Sequence, residues 1–384
     1  MIKVTFSLVG GQPFPVYAQA LDSKPDILLL FHSEQTQRNA LNIEACVKQK
    51  LPHAIVRKIE VDASDLKSSF LTFSAHAQAW LKPEHSITVN LSGGTKPWSM
   101  QLLNIFAGKE NAKCVFIDQN NYIWDMACYE RHKFEHTNLS LDDKFALYGV
   151  RATHRTSLEQ FDSADFDAVK KIEKLYRRNS FALRELTKKI EEDDANHIIQ
   201  KHYFNPNYRG CHIKRLGEND YECTFEHHIS GSKISVKFSS PHATNLLLNT
   251  GWFEIKVAKL LSQWHRASRV WVNTTINYYS TDDPANEIDI IVETRQDKLL
   301  FVECKTQIYH NTDIDKFNNA IKSYGGLGSK RVFITMNTMK ELPKTKCEAL
   351  RIPTFTTRDI EKDNLNKQNF FDALDKYMDT INAR

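Results

Sequence analysis

The sequence predicts an α/β protein built from a parallel-sheet domain, a small basic module and a mixed α/β domain. Short apolar strands alternate with helical stretches up to about residue 117, which is the pattern of a parallel sheet covered by helices. A polar, weakly patterned stretch spans residues 142–165, and two apolar strands form a predicted hairpin over residues 286–305. With 384 residues, of which 41% are hydrophobic, the chain is long enough for two domains and a small third.

Composition excludes several classes of protein. No run approaches 18 uninterrupted apolar residues, and residues 1–6 have the pattern of a strand, without the apolar region and cleavage site of a signal peptide. We therefore expect a soluble, cytoplasmic protein with no membrane contact. The seven cysteines are scattered with no C-x-x-C pair, so neither a disulfide framework nor a zinc site is indicated, and their odd number fits a reducing compartment.

Charge is distributed unevenly along the chain. The net charge is +4, yet residues 1–150 hold 15 Lys or Arg and 15 Asp or Glu, so the whole excess lies after residue 150. Residues 170–189 alone contain eight basic side chains and two acidic ones. Such a cluster could guide a phosphate backbone, but the commoner explanation is the solvated face of amphipathic helices.

The N-terminal half is predicted to form a Rossmann-like domain. The predicted strands are 2–9, 26–31, 54–61, 86–91 and 113–117, and the predicted helices are 35–50, 65–81 and 98–107. This alternation implies a parallel sheet with helices on both faces. Sheets of this kind bind ligands at the carboxyl ends of their strands.

Two glycine-rich strand ends make this edge of the sheet a candidate ligand site. A Gly-Gly-Gln-Pro loop closes the first strand, and Ser-Gly-Gly-Thr-Lys-Pro links the fourth strand to a helix that Thr95 can cap. A helix N-terminus beside Lys96 suits a phosphate. Neither a Walker A loop nor a G-x-G-x-x-G fingerprint is present, and both loops could be simple tight turns. The candidate ligand contacts are Gly10, Gly11, Gln12, Ser33, Glu34, Ser92, Gly93, Gly94, Thr95 and Lys96.

The rest of the chain divides into a middle segment and a C-terminal domain. We predict domain boundaries that give residues 1–145, 146–245 and 246–384. The middle segment shows two helical patterns and a hairpin over 221–238, which fits a small helical or winged-helix module. The predicted C-terminal elements are helix 253–264, strand 270–278, the hairpin, helix 311–324, strand 330–336, edge strand 352–357 and helix 370–381.

The C-terminal hairpin carries the candidate catalytic residues. With the turn centred on Gln296, Asp289 and Glu303 each lie seven residues away, so an antiparallel register sets them opposite each other. Lys305 shares the face of Glu303, because side chains alternate along a strand. Two adjacent carboxylates repel each other unless a hard divalent cation such as Mn²⁺ or Mg²⁺ binds between them. Such a cation together with a lysine implies phosphodiester hydrolysis. The alternative is a solvated edge hairpin, against which the apolar flanking residues argue.

These residues resemble the PD-(D/E)xK nuclease superfamily, with Asp289 as the aspartate and Glu303-Cys304-Lys305 as the E-x-K. The resemblance implies a metal held by Asp289, Glu303 and the Cys304 carbonyl. It also implies a glutamate on the helix before the hairpin, and Glu254 stands in the matching position. Glu254 is the weakest of the four catalytic candidates. Glu287 competes with Asp289, and the proline of the superfamily name is absent.

The two glycine loops followed by this hairpin resemble the CARF-domain nucleases that accompany type III CRISPR systems. The resemblance covers the N-terminal domain and the chain from about residue 250. It implies a homodimer that binds a cyclic oligoadenylate messenger, with cyclic tetra-adenylate as the expected ring, and then cleaves RNA or DNA in antiviral defence. A constitutive nuclease and a nucleic-acid-binding regulator with an inactive nuclease fold remain alternatives. The sequence leaves open whether the substrate is RNA or DNA, and whether the N-terminal domain degrades the messenger.

Overall fold

The computed structural model contains three sheets and describes most of the chain. The described residues are 1–134, 139–195, 207–248, 250–279, 284–308, 311–324 and 329–380. The largely parallel N-terminal sheet and the mixed C-terminal sheet confirm the predicted fold class. Among these residues no helix is both long and apolar enough to cross a membrane.

The N-terminal sheet has seven strands in the order β3-β2-β1-β4-β5-β6-β7. The strands are β1 Ile2–Leu8, β2 Ile27–His32, β3 Ile55–Glu60, β4 His85–Asn90, β5 Ala112–Ile117, β6 Tyr122–Asp125 and β7 Arg131–Lys133. The first five pair in parallel, as predicted, and β6 and β7 add an antiparallel edge that the sequence did not predict. The carboxyl ends of β1 and β4 are neighbours, which brings the two glycine loops together.

Helices cover both faces of this sheet. They are α1 Phe14–Ser23, α2 Gln37–Lys50, α3 Leu66–Trp80 and α4 Lys96–Phe106. Val16 and Ile43, from α1 and α2, share one core cluster, and Phe73 and Trp98, from α3 and α4, share another. The sequence did not predict α1, because its residues 16–21 are all buried and so lack the apolar period of an amphipathic helix.

The N-terminus of α3 allows a prediction of stability. The Asp65 carboxylate accepts hydrogen bonds from the main-chain N–H groups of Lys67 and Ser68, at 2.9 and 3.0 Å. Asp65→Ala should lower the free energy of unfolding by about 1 kcal/mol, because two helix donors lose their acceptor. Urea denaturation would measure this loss. Asp65→Asn keeps a capping oxygen and should cost less, so an equal loss in both variants would contradict the capping role.

The middle of the chain forms a helix-backed antiparallel sheet. The elements of this part of the chain, in order, are α5 Leu141–Ala146, β8 Val150–Ser157, α6 Ser163–Ala195, β9 Asn207–Tyr208, β10 Cys211–Arg215, β11 Asp220–Glu226, β12 Lys233–Ser239 and α7 Ala243–Leu247. β9 to β12 make the four-stranded sheet, and β11 and β12 match the predicted hairpin. Asn179 leaves the helical conformation within α6, which agrees with two helical patterns. Several basic side chains of α6 form local bonds, such as Arg177 with Glu173.

The C-terminal sheet has six strands in the order β17-β16-β15-β14-β13-β8. Its elements after β8 are α8 Gly251–Leu261, β13 Ala267–Tyr278, β14 Pro284–Thr294, β15 Leu299–Lys305, α9 Asn311–Tyr324, β16 Lys330–Thr335, α10 Glu341–Ala349, β17 Thr354–Thr356, α11 Thr357–Ile360 and α12 Asn364–Asp379. The edge strand β8 lies in the stretch that the sequence left unassigned. The domain boundaries at residues 145 and 245 remain predictions.

Candidate active site and ligand cavity

The hairpin of β14 and β15, joined by residues 295–298, has the predicted register. Ile290 pairs with Val302 and Val292 with Leu300. Extending this register by one position beyond the last pair sets Asp289 opposite Glu303. We call β14, β15 and residues 295–298 the catalytic hairpin, and residues 295–298 its tip.

The alternation of side chains along β14 is interrupted at Asp289. Ile290 packs in the core cluster of α8, whereas Ile288, two residues earlier, packs in the cluster of α9. On the neighbouring strand, in line with Asp289, Asn273 has a left-handed φ of 50°. A local reversal of this kind re-aims a side chain, and it is common beside active sites. Asp289 therefore lies at a point where the strand changes its buried face.

Lys305 and a main-chain N–H bind the two hairpin carboxylates. The Lys305 Nζ lies 2.8 Å from Glu303 Oε1 and 3.8 Å from Asp289 Oδ2. The N–H of Cys304 donates to Asp289 Oδ2 at 2.7 Å. The side chains of Asp289 and Glu303 are only 13% and 14% exposed, whereas that of Lys305 is 37% exposed. The structure therefore brings the three predicted hairpin residues into one cluster with a face open to solvent.

Glu254 is a third carboxyl group, close enough for its charge to interact with this cluster. It lies in the first turn of α8 and is 8% exposed. Burial raises the pKa of Glu254 strongly, and the charge of Asp289 raises it further. Glu287, the competitor of Asp289, is exposed and also acts on Glu254 through its charge. The structure thus places the weakest sequence candidate within the electrostatic influence of the other three.

The charges of the cluster do not balance. Burial raises the pKa of Asp289 more than Lys305 and the Cys304 N–H lower it. Burial, followed by the charge of Asp289, raises the pKa of Glu303. Although burial alone would lower the pKa of Lys305, the two hairpin carboxylates outweigh it and raise that pKa. Three carboxyl groups therefore share one ammonium in a poorly solvated place, which opposes the simultaneous ionisation of all three.

The donor set fits a hard divalent cation. Within the described ranges, no group of three or more His, Cys, Asp and Glu side chains is arranged to hold a metal by itself. Two hairpin carboxylates, a main-chain carbonyl and water nevertheless supply the oxygen ligands that Mg²⁺ and Mn²⁺ prefer. Burial raises the pKa of the Cys304 thiol well above its usual value, so any ligand from this residue is its carbonyl. A cation would favour the ionised form of these carboxyl groups.

A cavity of about 430 Å³ lies where the glycine loops face the C-terminal domain. This volume falls within the usual range for small-molecule pockets. Six of the ten predicted ligand contacts line it, and they are Gly10, Gly11, Gln12, Ser92, Gly93 and Gly94. The cavity therefore brings the two predicted loops to one place.

The glycines allow the two loops to pack backbone against backbone. A Cβ atom on Gly93 would lie 1.9 Å from the Leu8 carbonyl oxygen, and one on Gly10 would lie 2.9 Å from the Gly94 nitrogen. Gly94 also has a φ of +67°. From the sequence, these glycines were candidate ligand contacts or parts of simple tight turns. The structure gives Gly10, Gly93 and Gly94 a second reason, while a Cβ on Gly11 would meet no atom within 4 Å.

The other four predicted contacts lie outside the lining of this cavity. Thr95 caps α4 as predicted, accepting a hydrogen bond from the Trp98 N–H at 3.4 Å. Ser33 is buried and caps the short turn that follows β2, in which Glu34 is exposed. Lys96 is exposed at the start of α4. The roles of these four residues in ligand binding remain predictions.

Most of the rest of the cavity lining comes from parts of the chain that hold none of the predicted ligand contacts. They are the turn between β5 and β6, Lys144, Tyr148, Ser329 and the tip of the catalytic hairpin with Asp297 and Lys298. These segments are remote from the glycine loops in sequence and share no motif with them. No signal in the sequence could have grouped them.

A ligand-sensing α/β domain with glycine loops, coupled to a sheet that carries an E-x-K cluster, defines the class of CARF-domain nucleases. Residues 4–143 match the family model described as Card1 CARF domain, and residues 242–367 match the one described as Card1-like, endonuclease domain. The chain therefore belongs to this class, with both domains of the Card1 type. No curated protein matches the chain.

Solved structures share the architecture. Can2 from Sulfobacillus thermosulfidooxidans, in complex with cyclic tetra-adenylate, is 15% identical with a TM-score of 0.67, over 98% of this chain and 100% of that chain. Protein VC1899 from Vibrio cholerae is 12% identical with a TM-score of 0.71, over 97% and 98%. A type III CRISPR defence DNA nuclease activated by cyclic oligoadenylate is 16% identical with a TM-score of 0.53, over 88% of this chain and 45% of that chain. At these identities the comparison shows a shared fold.

Proposed function

We propose that this protein is a divalent-metal-dependent endonuclease of type III CRISPR antiviral defence, switched on by cyclic tetra-adenylate. The observation that carries the proposal is the buried cluster of three carboxylates and Lys305 in a Card1-like endonuclease domain. The Card1-type CARF domain and its glycine-loop cavity support the messenger. The complex of Can2 with cyclic tetra-adenylate favours that ring.

In the proposed reaction, Asp289 and Glu303 would hold Mn²⁺ or Mg²⁺, with the Cys304 carbonyl as a third oxygen and Glu254 beside them. Such a cation polarises a phosphodiester and lowers the pKa of a water molecule. The charges of Asp289 and Glu303 raise the pKa of Lys305 and so favour its ammonium form. This ammonium would orient the attacking water or stabilise the negative charge that develops on the phosphate oxygens.

A homodimer completes the proposal. A ring of four adenylates has two-fold symmetry, and a two-fold dimer presents the same surface twice. The exposed side chain of Lys96 is available to a ligand that extends beyond the cavity of one protomer. Binding activates only when the ligand prefers the active arrangement, so the two nuclease sites are proposed to rearrange together.

The proposal predicts that cleavage requires both messenger and metal. Purified protein would be incubated with Mn²⁺ and labelled single-stranded RNA, single-stranded DNA or duplex DNA, with and without cyclic tetra-adenylate. A messenger that prefers the active arrangement by about 1–3 kcal/mol raises the population of that arrangement by up to about 5- to 150-fold. The cleavage rate should rise by the same factor. EDTA should remove the activity, because the hairpin carboxylates would lose the cation that they hold.

The remaining outcomes of this experiment favour an alternative function or contradict the role of the metal. Equal cleavage without the messenger would favour a constitutive nuclease with an N-terminal domain for dimerisation. Binding of nucleic acid without cleavage under any condition would favour a regulator with an inactive nuclease fold. Cleavage that persists in EDTA would contradict the metal-dependent mechanism.

A further inference from the structure

Lys144 joins the cavity to the catalytic hairpin. It lies on α5, and although it is only 6% exposed it lines the cavity with the glycine loops. Its Nζ lies 3.4 Å from Glu293 Oε2 and 3.7 Å from Asp297 Oδ1. Glu293 is held from its other oxygen by the indole N–H of Trp271 at 2.7 Å. One buried ammonium therefore binds two acids of the catalytic hairpin.

The hairpin tip also rests on the turn between β5 and β6. The Lys298 ammonium donates to the Asn120 side chain at 3.0 Å, and the Asn121 amide donates to the Gln296 carbonyl at 3.5 Å. Asp118 makes that turn rigid, because its carboxylate accepts hydrogen bonds from Asn120 and Tyr122 N–H groups. The tip is thus attached to the same end of the N-terminal sheet as the glycine loops.

The tip carries a buried acid in a left-handed turn. Asp297 adopts a φ of 60°, a conformation that Asp adopts more readily than most residues other than glycine. Hydrogen bonds between Thr294 and Lys298 close the turn itself. Burial raises the pKa of Asp297 more than Lys144 lowers it, so the contact with Lys144 offsets only part of the cost of burying this carboxylate. Loss of that contact should therefore favour a movement of Asp297 toward solvent.

The cations of the cavity suit an anionic ligand. Lys298 donates to neutral oxygens, those of Asn120 and the Met378 carbonyl, at 3.0 and 3.3 Å. Burial lowers the pKa of Lys298 more than the charge of Asp379 raises it. Asp118 and Asp297 also line the cavity, so an anionic ligand would compete with these carboxylates for the two ammonium groups. A phosphate accepts stronger hydrogen bonds from an ammonium than a neutral oxygen does, and it also competes with a carboxylate. A phosphate beside the glycine loops would lie within the same cavity as Lys144 and Lys298.

We propose that Lys144 is a latch, which holds the hairpin tip through Asp297 in the resting protein and turns to a phosphate of the bound messenger. Because Asp297 then loses its cation, the tip shifts and moves Asp289 and Glu303 with it. The strand β15 is a stiff link for this movement, since Glu303 follows Lys298 by only five residues, about 17 Å. The latch rests on the proposed function and adds the contacts through which messenger binding in the cavity would change the nuclease site.

The latch is tested with variants that separate binding from switching. Lys144→Met should bind cyclic tetra-adenylate about 10- to 100-fold more weakly in calorimetry, because a hydrogen bond to a charged group is lost. Asp297→Asn keeps the left-handed turn and releases Lys144 from one of its two acids. It should therefore bind the messenger at least as tightly as wild type and cleave without messenger at several times the wild-type rate. Lys144→Arg keeps the charge and should bind nearly as well as wild type.

A control ion pair lies next to the latch. Lys50 binds Asp143, the neighbour of Lys144, at 3.1 Å on the surface. Lys50→Met should therefore leave messenger affinity and messenger-free cleavage at wild-type values. A latch predicts that both test variants raise messenger-free cleavage, because both break the ion pair between Lys144 and Asp297, and that only Lys144→Met loses messenger affinity. A merely structural role of Lys144 would instead lower stability and every activity together. Thermal unfolding of each variant checks this point, and if Lys144→Met does not fold, Asp297→Asn alone decides.

Two results would overturn the latch. One is wild-type messenger affinity in folded Lys144→Met, and the other is Asp297→Asn that remains fully dependent on the messenger. The proposed function fails separately, when the wild-type protein neither binds cyclic tetra-adenylate nor responds to it. The messenger-free rate of Asp297→Asn can still be read in that case, so failure of the latch and failure of the messenger assignment are distinguishable.

Discussion

Glu303→Gln should reduce messenger-activated cleavage by at least about a hundredfold, the loss expected when a positioned catalytic group is removed. The substitution keeps the size of the side chain but removes the charge that binds Lys305 at 2.8 Å and that would bind the cation. Messenger affinity should not change, because the glycine-loop cavity does not include this residue. Cleavage assays and calorimetry on the same preparation would measure both.

Two other carboxylates serve as controls for this prediction. Glu348→Gln removes an exposed carboxylate of α10 and should leave cleavage unchanged. Glu287→Gln tests the competitor of Asp289 and should cost much less than Glu303→Gln, since Glu287 is exposed. If Glu303→Gln retained most of its activity, the assignment of the active site to this hairpin would be wrong.

Gly93→Ala should abolish the response to the messenger and destabilise the N-terminal domain by about 1–3 kcal/mol, the usual cost of overpacking. The added methyl group would lie 1.9 Å from the Leu8 carbonyl oxygen, so one of the two glycine loops must move. The cavity is lined by both loops and cannot keep its shape. Calorimetry with cyclic tetra-adenylate and urea denaturation would measure the two losses.

The chain offers a matched control in the other loop. Gly11→Ala adds the same methyl group where no atom lies within 4 Å, so stability should stay within about 0.5 kcal/mol of wild type. Any effect of Gly11→Ala on messenger binding would then report a contact with the ligand itself. Normal messenger binding by Gly93→Ala would show that the packing of the two loops does not shape the site.

Local patterns predicted the elements that have a regular period. The register of the catalytic hairpin followed from counting residues about Gln296, because an antiparallel pair with a short turn has few alternatives. The five parallel strands followed from short apolar runs between helical stretches. The reversal at Asp289 could not be predicted, since it depends on the left-handed Asn273 in the neighbouring strand.

Contacts between distant segments were beyond the reach of pattern reasoning. Lys96 was grouped with the glycine loops because it is adjacent to one of them in the chain, whereas the two lysines that line the cavity, Lys144 and Lys298, are remote in sequence. Helix α1 was missed for a related reason, as its burial on every side comes from tertiary packing. The residue types at the end of one strand predict the kind of ligand that this end can bind. The distant segments that pack against it depend on the tertiary fold.

The strand β8 has a consequence for dividing the protein into parts. It lies between the two matched regions, 4–143 and 242–367, and it borders the twelve-residue strand β13 at the edge of the C-terminal sheet. A fragment that begins at residue 246 would lack this border and would present a long row of unpaired main-chain groups to other molecules. Self-association of such a fragment would then be an artefact of trimming rather than a property of the enzyme, and the nuclease half is better expressed with β8 retained.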